Sequence, residues 1–131
     1  MATTVEHKNK WLHNRAFLGT IEDRYADWIT TVMFYTALHA VETLFAFDGT
    51  TSYGGHMVRN RTLKITHRYK QVWRNYQPLY DAARAARYDP EPIAWVPLDD
   101  IKTKLAPFLY RVEISVLKLT GANEKLPPIW S

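Results

Sequence analysis

Residues Asp27 to Phe47 read DWITTVMFYTALHAVETLFAF. Between Trp28 and Phe47 there is no Lys, Arg, Pro or Gly, so nothing in the run breaks a helix. Asp27 is expected to cap it, its carboxylate accepting from the free N–H groups of the first turn. Trp28, Ile29, Val32, Met33, Phe34, Ala37, Leu38, Val41, Leu44 and Phe45 cover nearly the whole circumference. A helix apolar on nearly every side must be covered on more than one side, which predicts the central member of a bundle. Its length also suits a membrane span. Thr30, Thr31, Thr36, His39, Glu42 and Thr43 interrupt the run, however, and an ionisable residue is costly in lipid. Burial inside a protein is therefore the expectation.

Upstream, Thr3 or Thr4 is placed to cap a helix reaching about Leu18, with Trp11, Leu12, Arg15 and Leu18 at helical spacing. Gly19 ends it, and residues 20–26 make a short polar connection. Downstream, DGTTSYGG (48–55) is a turn-rich loop. HMVRNRTLKITH (His56 to His67) reads as a shorter helix with Met57, Leu63 and Ile65 as its apolar residues. In the next helix Tyr69, Val72, Trp73, Tyr76, Tyr80 and Ala83 form an aromatic stripe, which Pro78 is expected to kink or divide. That spacing favours core or dimer seam over base stacking. Asp89-Pro90 and Glu91-Pro92 stop regular structure. Asp99 or Asp100 is expected to cap a last helix with Ile101, Leu105, Phe108, Leu109, Val112, Val116 and Leu119 as its seam. Pro107 should kink that helix, and Gly121 should close it in the left-handed conformation. Residues 122–131 read as an extended tail, with Trp130 either docked or offered to a partner. Nothing alternates with period two, so no sheet is expected. The fold class is all-α: one domain over residues 1–131, a four-to-five-helix bundle with its core at about 5–120.

The 131 residues are enough for one core, and 47% hydrophobic content excludes a disordered chain. With no cysteine, disulfides, thiolate zinc sites and cysteine nucleophiles are excluded. MATTVEHKNK lacks the apolar core of a signal peptide, so a cytoplasmic location is expected. The +4 net charge is unevenly placed. From His56 to Tyr88 eight basic residues face the single acid Asp81, a window of +7, while the remainder is −3. Such a face suits a polyanion, unless its arginines are paired with acids on neighbouring helices.

Asp27-Trp28 with FYTALHAVETLFA, then His56-x-x-Arg59-Asn60, Tyr76-x-x-Leu79-Tyr80-Asp81 and Ala86-Arg87-Tyr88 stand in that order along the chain. Together, over about residues 7 to 120, they resemble a small bacterial HEPN-domain protein. The resemblance implies a HEPN-like helical bundle that usually dimerises. It also implies one of two functions: a metal-independent endoribonuclease of toxin–antitoxin or phage-defence systems, or a catalytically inactive interaction subunit of a larger assembly. The family's active motif is Arg, four to six residues, then His, often with Asn, Asp or His directly after the Arg. Arg61 and His67 have five residues between them, with Thr62 after the arginine. Arg59 is followed by Asn60 but stands seven residues from His67. The catalytic candidates are therefore Arg61 and His67, then Arg59, Asn60 and His56. The chemistry needs little else: the 2′-hydroxyl of RNA is a built-in nucleophile, a histidine exchanges its proton, and a guanidinium holds the phosphate oxygens as their charge rises. Lys64, Arg68, Lys70, Arg74, Arg84 and Arg87 are the candidate RNA-binding cations. His39 and Glu42, three apart, suggest half of a di-metal site, but no second pair accompanies them. They are expected as structural support, Glu42 offsetting an arginine of the 59–61 region and His39 a bonded core histidine. No metal and no cofactor is expected. RNA, a second copy of the chain or a larger protein complex are the expected partners.

Overall fold

Thr3 opens the first helix, α1 (Thr4–Leu18), with a capping box: its hydroxyl accepts from the Glu6 N–H at 3.1 Å, and the Glu6 carboxylate accepts from the Thr3 N–H at 3.2 Å. A computed structural model describes residues 2–51 and 53–130. Met1, Ser52 of the turn-rich loop and Ser131 of the tail lie outside the described residues.

Helix α2 (Ala26–Asp48) is the centre of the molecule, and α1, α4 (Lys70–Tyr88) and α5 (Ala106–Leu119) pack around it. Ile29, Met33, Phe34, Ala37, Ala40, Val41 and Leu44 are wholly buried, and 78% of its most apolar window is inside the bundle. The hydroxyls of Thr30, Thr31, Thr36 and Thr43 each donate to the carbonyl four residues back, at 2.7–2.9 Å. Its threonines are thus satisfied within the helix and need no partner outside it. Two expectations are corrected. The helix begins a residue before Asp27, with Tyr25 at the cap position and no side-chain cap bond; Asp27 lies in the first turn, where its charge still suits the helix dipole. Trp28, in the first turn, is 58% exposed. Gly49, with φ +70°, ends the helix in the left-handed region that glycine enters without steric cost.

Helix α3 (Gly55–Ile65) buries only Arg59 and Leu63. Met57 and Ile65, expected on its apolar side, are 82% and 70% exposed, and the helix stops at Ile65 rather than reaching His67. His67–Tyr69 is a 3-10 turn leading into α4 (Lys70–Tyr88), which runs through Pro78 undivided. The stripe Tyr69, Val72, Tyr76, Leu79 and Ala83 is core, with Trp73 and Tyr80 half-buried at its margin.

The last helix is entered at Pro97, not at Asp99 or Asp100, which lie in its first turn without capping it. After Leu98–Asp100 comes a π-helical turn, Ile101–Leu105, and then α5 (Ala106–Leu119). Pro107 follows closely on this π turn, so the irregularity expected at the proline takes the form of a local widening of the helix just before it. Gly121, at φ +71°, closes the helix as expected. The tail then runs beside α1. Arg15 donates to the Pro127 carbonyl, Lys8 pairs with Glu124, and Lys102 lies over the Trp130 ring at 5.4 Å. Trp130 is therefore docked. Beneath the tail Glu113 is buried, accepting from Trp11 Nε1 at 2.7 Å and Arg15 Nε at 2.8 Å. No strand occurs among the described residues.

Candidate functional site

Arg59 points inward from α3 and donates through Nε to the Glu42 carboxylate of α2 at 2.6 Å. The two side chains are 10% and 6% exposed, so each charge depends on the other. His56, one turn earlier on the same face, meets Arg59 Nη1 through its Nδ1 at 3.2 Å. A guanidinium nitrogen can only donate, so Nδ1 accepts; the imidazole is neutral and its hydrogen sits on Nε2. Burial, then the charges of Arg59 and Arg87, hold the His56 pKa below its ordinary value, in agreement with a neutral ring.

Phe34 of α2 is the floor beneath this group. Its ring centre lies 5.7 Å from His56, 5.5 Å from Tyr76, 5.7 Å from Tyr80 and 5.2 Å from Tyr35. The Arg87 guanidinium of α4 lies 5.4 Å over Phe34, 5.5 Å over Tyr35 and 5.2 Å over Tyr88. Its Nε and Nη1 are buried with no hydrogen-bond partner, and no carboxylate of the described residues lies within 4.0 Å. The Tyr76 hydroxyl is buried and unpartnered too, and burial raises its pKa. Aromatic faces attract a cation without neutralising it. The cluster therefore balances Glu42 against Arg59 and leaves Arg87 uncompensated.

The pair chosen from motif spacing is elsewhere. Arg61, on α3, and His67, in the 3-10 turn, are both exposed and make no side-chain hydrogen bond among the described residues. Asn60 is half-buried, with Oδ1 unpartnered. Lys64, Lys70, Arg74 and Arg84 are exposed without a carboxylate partner, Arg84 lying 5.8 Å over Tyr80. Arg68 is engaged within the protein: it grips Asp48 at 2.8 and 3.0 Å and the Leu119 carbonyl at 2.9 Å, tying α2 to the end of α5. His39 is half-buried and stacked 5.7 Å from His7, but its Nδ1 lacks the bond expected of a core histidine. Burial, then His7 and Lys10, push its pKa down to about 4. Among the described residues no group of three or more His, Asp or Glu is arranged to hold a metal.

Sequence reasoning missed the joining of Arg87 to His56. The signal was present: Tyr76, Tyr80, Ala83 and Arg87 fall on one helical face, so Arg87 continues the buried stripe. On a different side of α4 a shallow groove is lined by Asp81, Arg84, Ala85, Tyr88, Asp89 and Pro90. Its two carboxylates make it a poor place for a polyanion. Comparison with known proteins gives no match: no family model, curated protein or solved structure matches the chain.

Proposed function

We propose that this chain is a HEPN-like bundle that binds RNA and cleaves it without a metal, as a cytoplasmic toxin or phage-defence effector acting as a dimer. The observation that carries the reading is charge left without counter-charge. Of the eight basic residues between His56 and Tyr88, Arg59 and Arg68 have carboxylate partners. Arg61, Lys64, Lys70, Arg74, Arg84 and Arg87 have none among the described residues. Cations without local partners on adjacent elements suit a phosphate backbone, whose binding releases condensed counterions. In this reading Arg61 supports the phosphate as its charge rises, and His67 relays the proton of the 2′-hydroxyl.

A second reading, a catalytically silent interaction subunit of a larger assembly, is favoured by one observation. Among the described residues no neighbouring side chain holds Arg61 or His67, whereas catalytic groups act best when locked in place. One experiment separates the two. The purified protein, incubated with total RNA in EDTA, should leave 2′,3′-cyclic phosphate ends, and Arg61→Ala or His67→Ala should lower the rate about a hundredfold at unchanged helicity. RNA bound but uncut establishes the silent reading. RNA neither bound nor cut overturns the ribonuclease reading and leaves the interaction subunit.

A further inference from the structure

We infer that His56 and Arg87 form a receptor for one phosphate-class oxyanion, lying over Phe34 and distinct from the exposed Arg61/His67 pair. The two residues come from different helices and meet on the same aromatic floor, with ring-to-ring and cation-to-ring distances of 5.7 and 5.4 Å. Each supplies what an oxyanion needs. Arg59 occupies Nδ1 of His56, so the remaining nitrogen, Nε2, carries hydrogen and donates. Arg87 brings the cluster's one uncancelled charge, since Glu42 is consumed by Arg59. A half-buried cation with no counter-ion is costly, and a bound anion removes that cost.

The same geometry argues against His56 as a general base. A base must offer a lone pair, and the only one on this ring already accepts from Arg59. His56 is therefore a donor to an anion rather than an acceptor of its proton. The charged and titratable groups around it are Arg59 on its own helix, Glu42 across on α2, and Tyr76, Tyr80 and Arg87 on α4. Among them Glu42 is the only carboxylate, and it is neutralised. The ligand class is thus a compact oxyanion: a free phosphate, or the terminal phosphate of a nucleic acid.

The test is a histidine-resolved NMR titration of the full chain with inorganic phosphate at neutral pH. A saturable shift of the His56 resonances is expected, together with a rise in the His56 titration midpoint, because the anion favours the protonated ring. Arg87→Met keeps the stem that packs on the rings and removes the charge; it should weaken binding about tenfold or more, while Arg87→Lys retains part of it. Circular dichroism on both variants establishes that they are folded. Two further arms use a short oligoribonucleotide with and without a 5′-phosphate. Preference for the phosphorylated form that is lost in Arg87→Met assigns the site to chain ends; response to inorganic phosphate with no such preference assigns it to free phosphate. No saturable His56 shift with phosphate or with either oligonucleotide, or shifts unchanged in Arg87→Met, overturns the inference. RNA cleavage dependent on Arg61 and His67 is read separately on the unphosphorylated oligonucleotide, so either proposal can fail alone.

Discussion

Glu42 and Arg59 hold a charge pair at 2.6 Å where water scarcely reaches. Removing one partner strands the other, so Glu42→Ala should destabilise the protein by about 3–5 kcal/mol in urea denaturation. Replacing both, as Glu42→Leu with Arg59→Met, should recover most of that loss, because no charge is then left buried alone. His39 makes a second prediction. Its folded pKa of about 4 lies below the ordinary 6.5. Above pH 6.5 the ring is neutral in both states and costs nothing. Between 6.5 and 4 the unfolded chain takes up the proton and the folded one does not, so stability falls as pH drops through that window. His39→Gln should flatten this part of the stability–pH curve. His56, shifted the same way, leaves a residual slope. The Glu42 partner was legible because a buried carboxylate demands a cation and α3 offers arginines one loop away. Which of Arg59 and Arg61 turns inward was not, since it depends on how α3 is rotated against α2. Motif spacing carries no information about that rotation.

The elements show where local rules suffice and where they do not. Thr3 and Glu6 stand at capping-box spacing, and the box formed. Asp27, Asp99 and Asp100 were equally good cap residues, yet Tyr25 and Pro97 occupy those positions, because packing of the following apolar residues sets where each helix enters. Helix α3 has too few apolar residues to specify its own face, so the pattern alone does not show that Met57 and Ile65 face outward. The tail was read as extended, but not the groove it fills. Gly19 reveals that fit. A Cβ there would sit 2.5 Å from the Ile129 carbonyl oxygen, while its φ of −69° suits any residue. Gly19→Ala should therefore leave α1 intact and lift the tail, seen as faster amide exchange over residues 122–130 with little change in helicity.

At the scale of the whole molecule, the all-α bundle around α2 was legible because a breaker-free, all-round apolar run has few other places to go. The surface was not, since charge pairing depends on tertiary neighbours. Under the proposed function, the six cations without a carboxylate partner among the described residues predict that single-stranded RNA binding weakens steeply with salt. Lys64→Gln, Lys70→Gln and Arg74→Gln should each reduce the slope of log K against log salt by about 0.7. Arg68→Gln should leave the slope nearly unchanged and instead loosen the Asp48 latch. Exposed Trp28, Met57, Tyr88 and Ile93 also predict self-association, visible by light scattering as a mass above 15.3 kDa at tens of micromolar.

Arg15 has a history as well as a place. Its partners Glu113 and Pro127 lie 98 and 112 residues later in the chain. At roughly 5–20 residues per second, they leave the ribosome on the order of ten seconds after it. Throughout that interval α1 carries on its inner face a cation with nothing to close on. Helix α1 is thus completed by residues translated about a hundred positions after it, and a ribosome stalled before Glu113 should hold a nascent chain whose α1 remains open to protease.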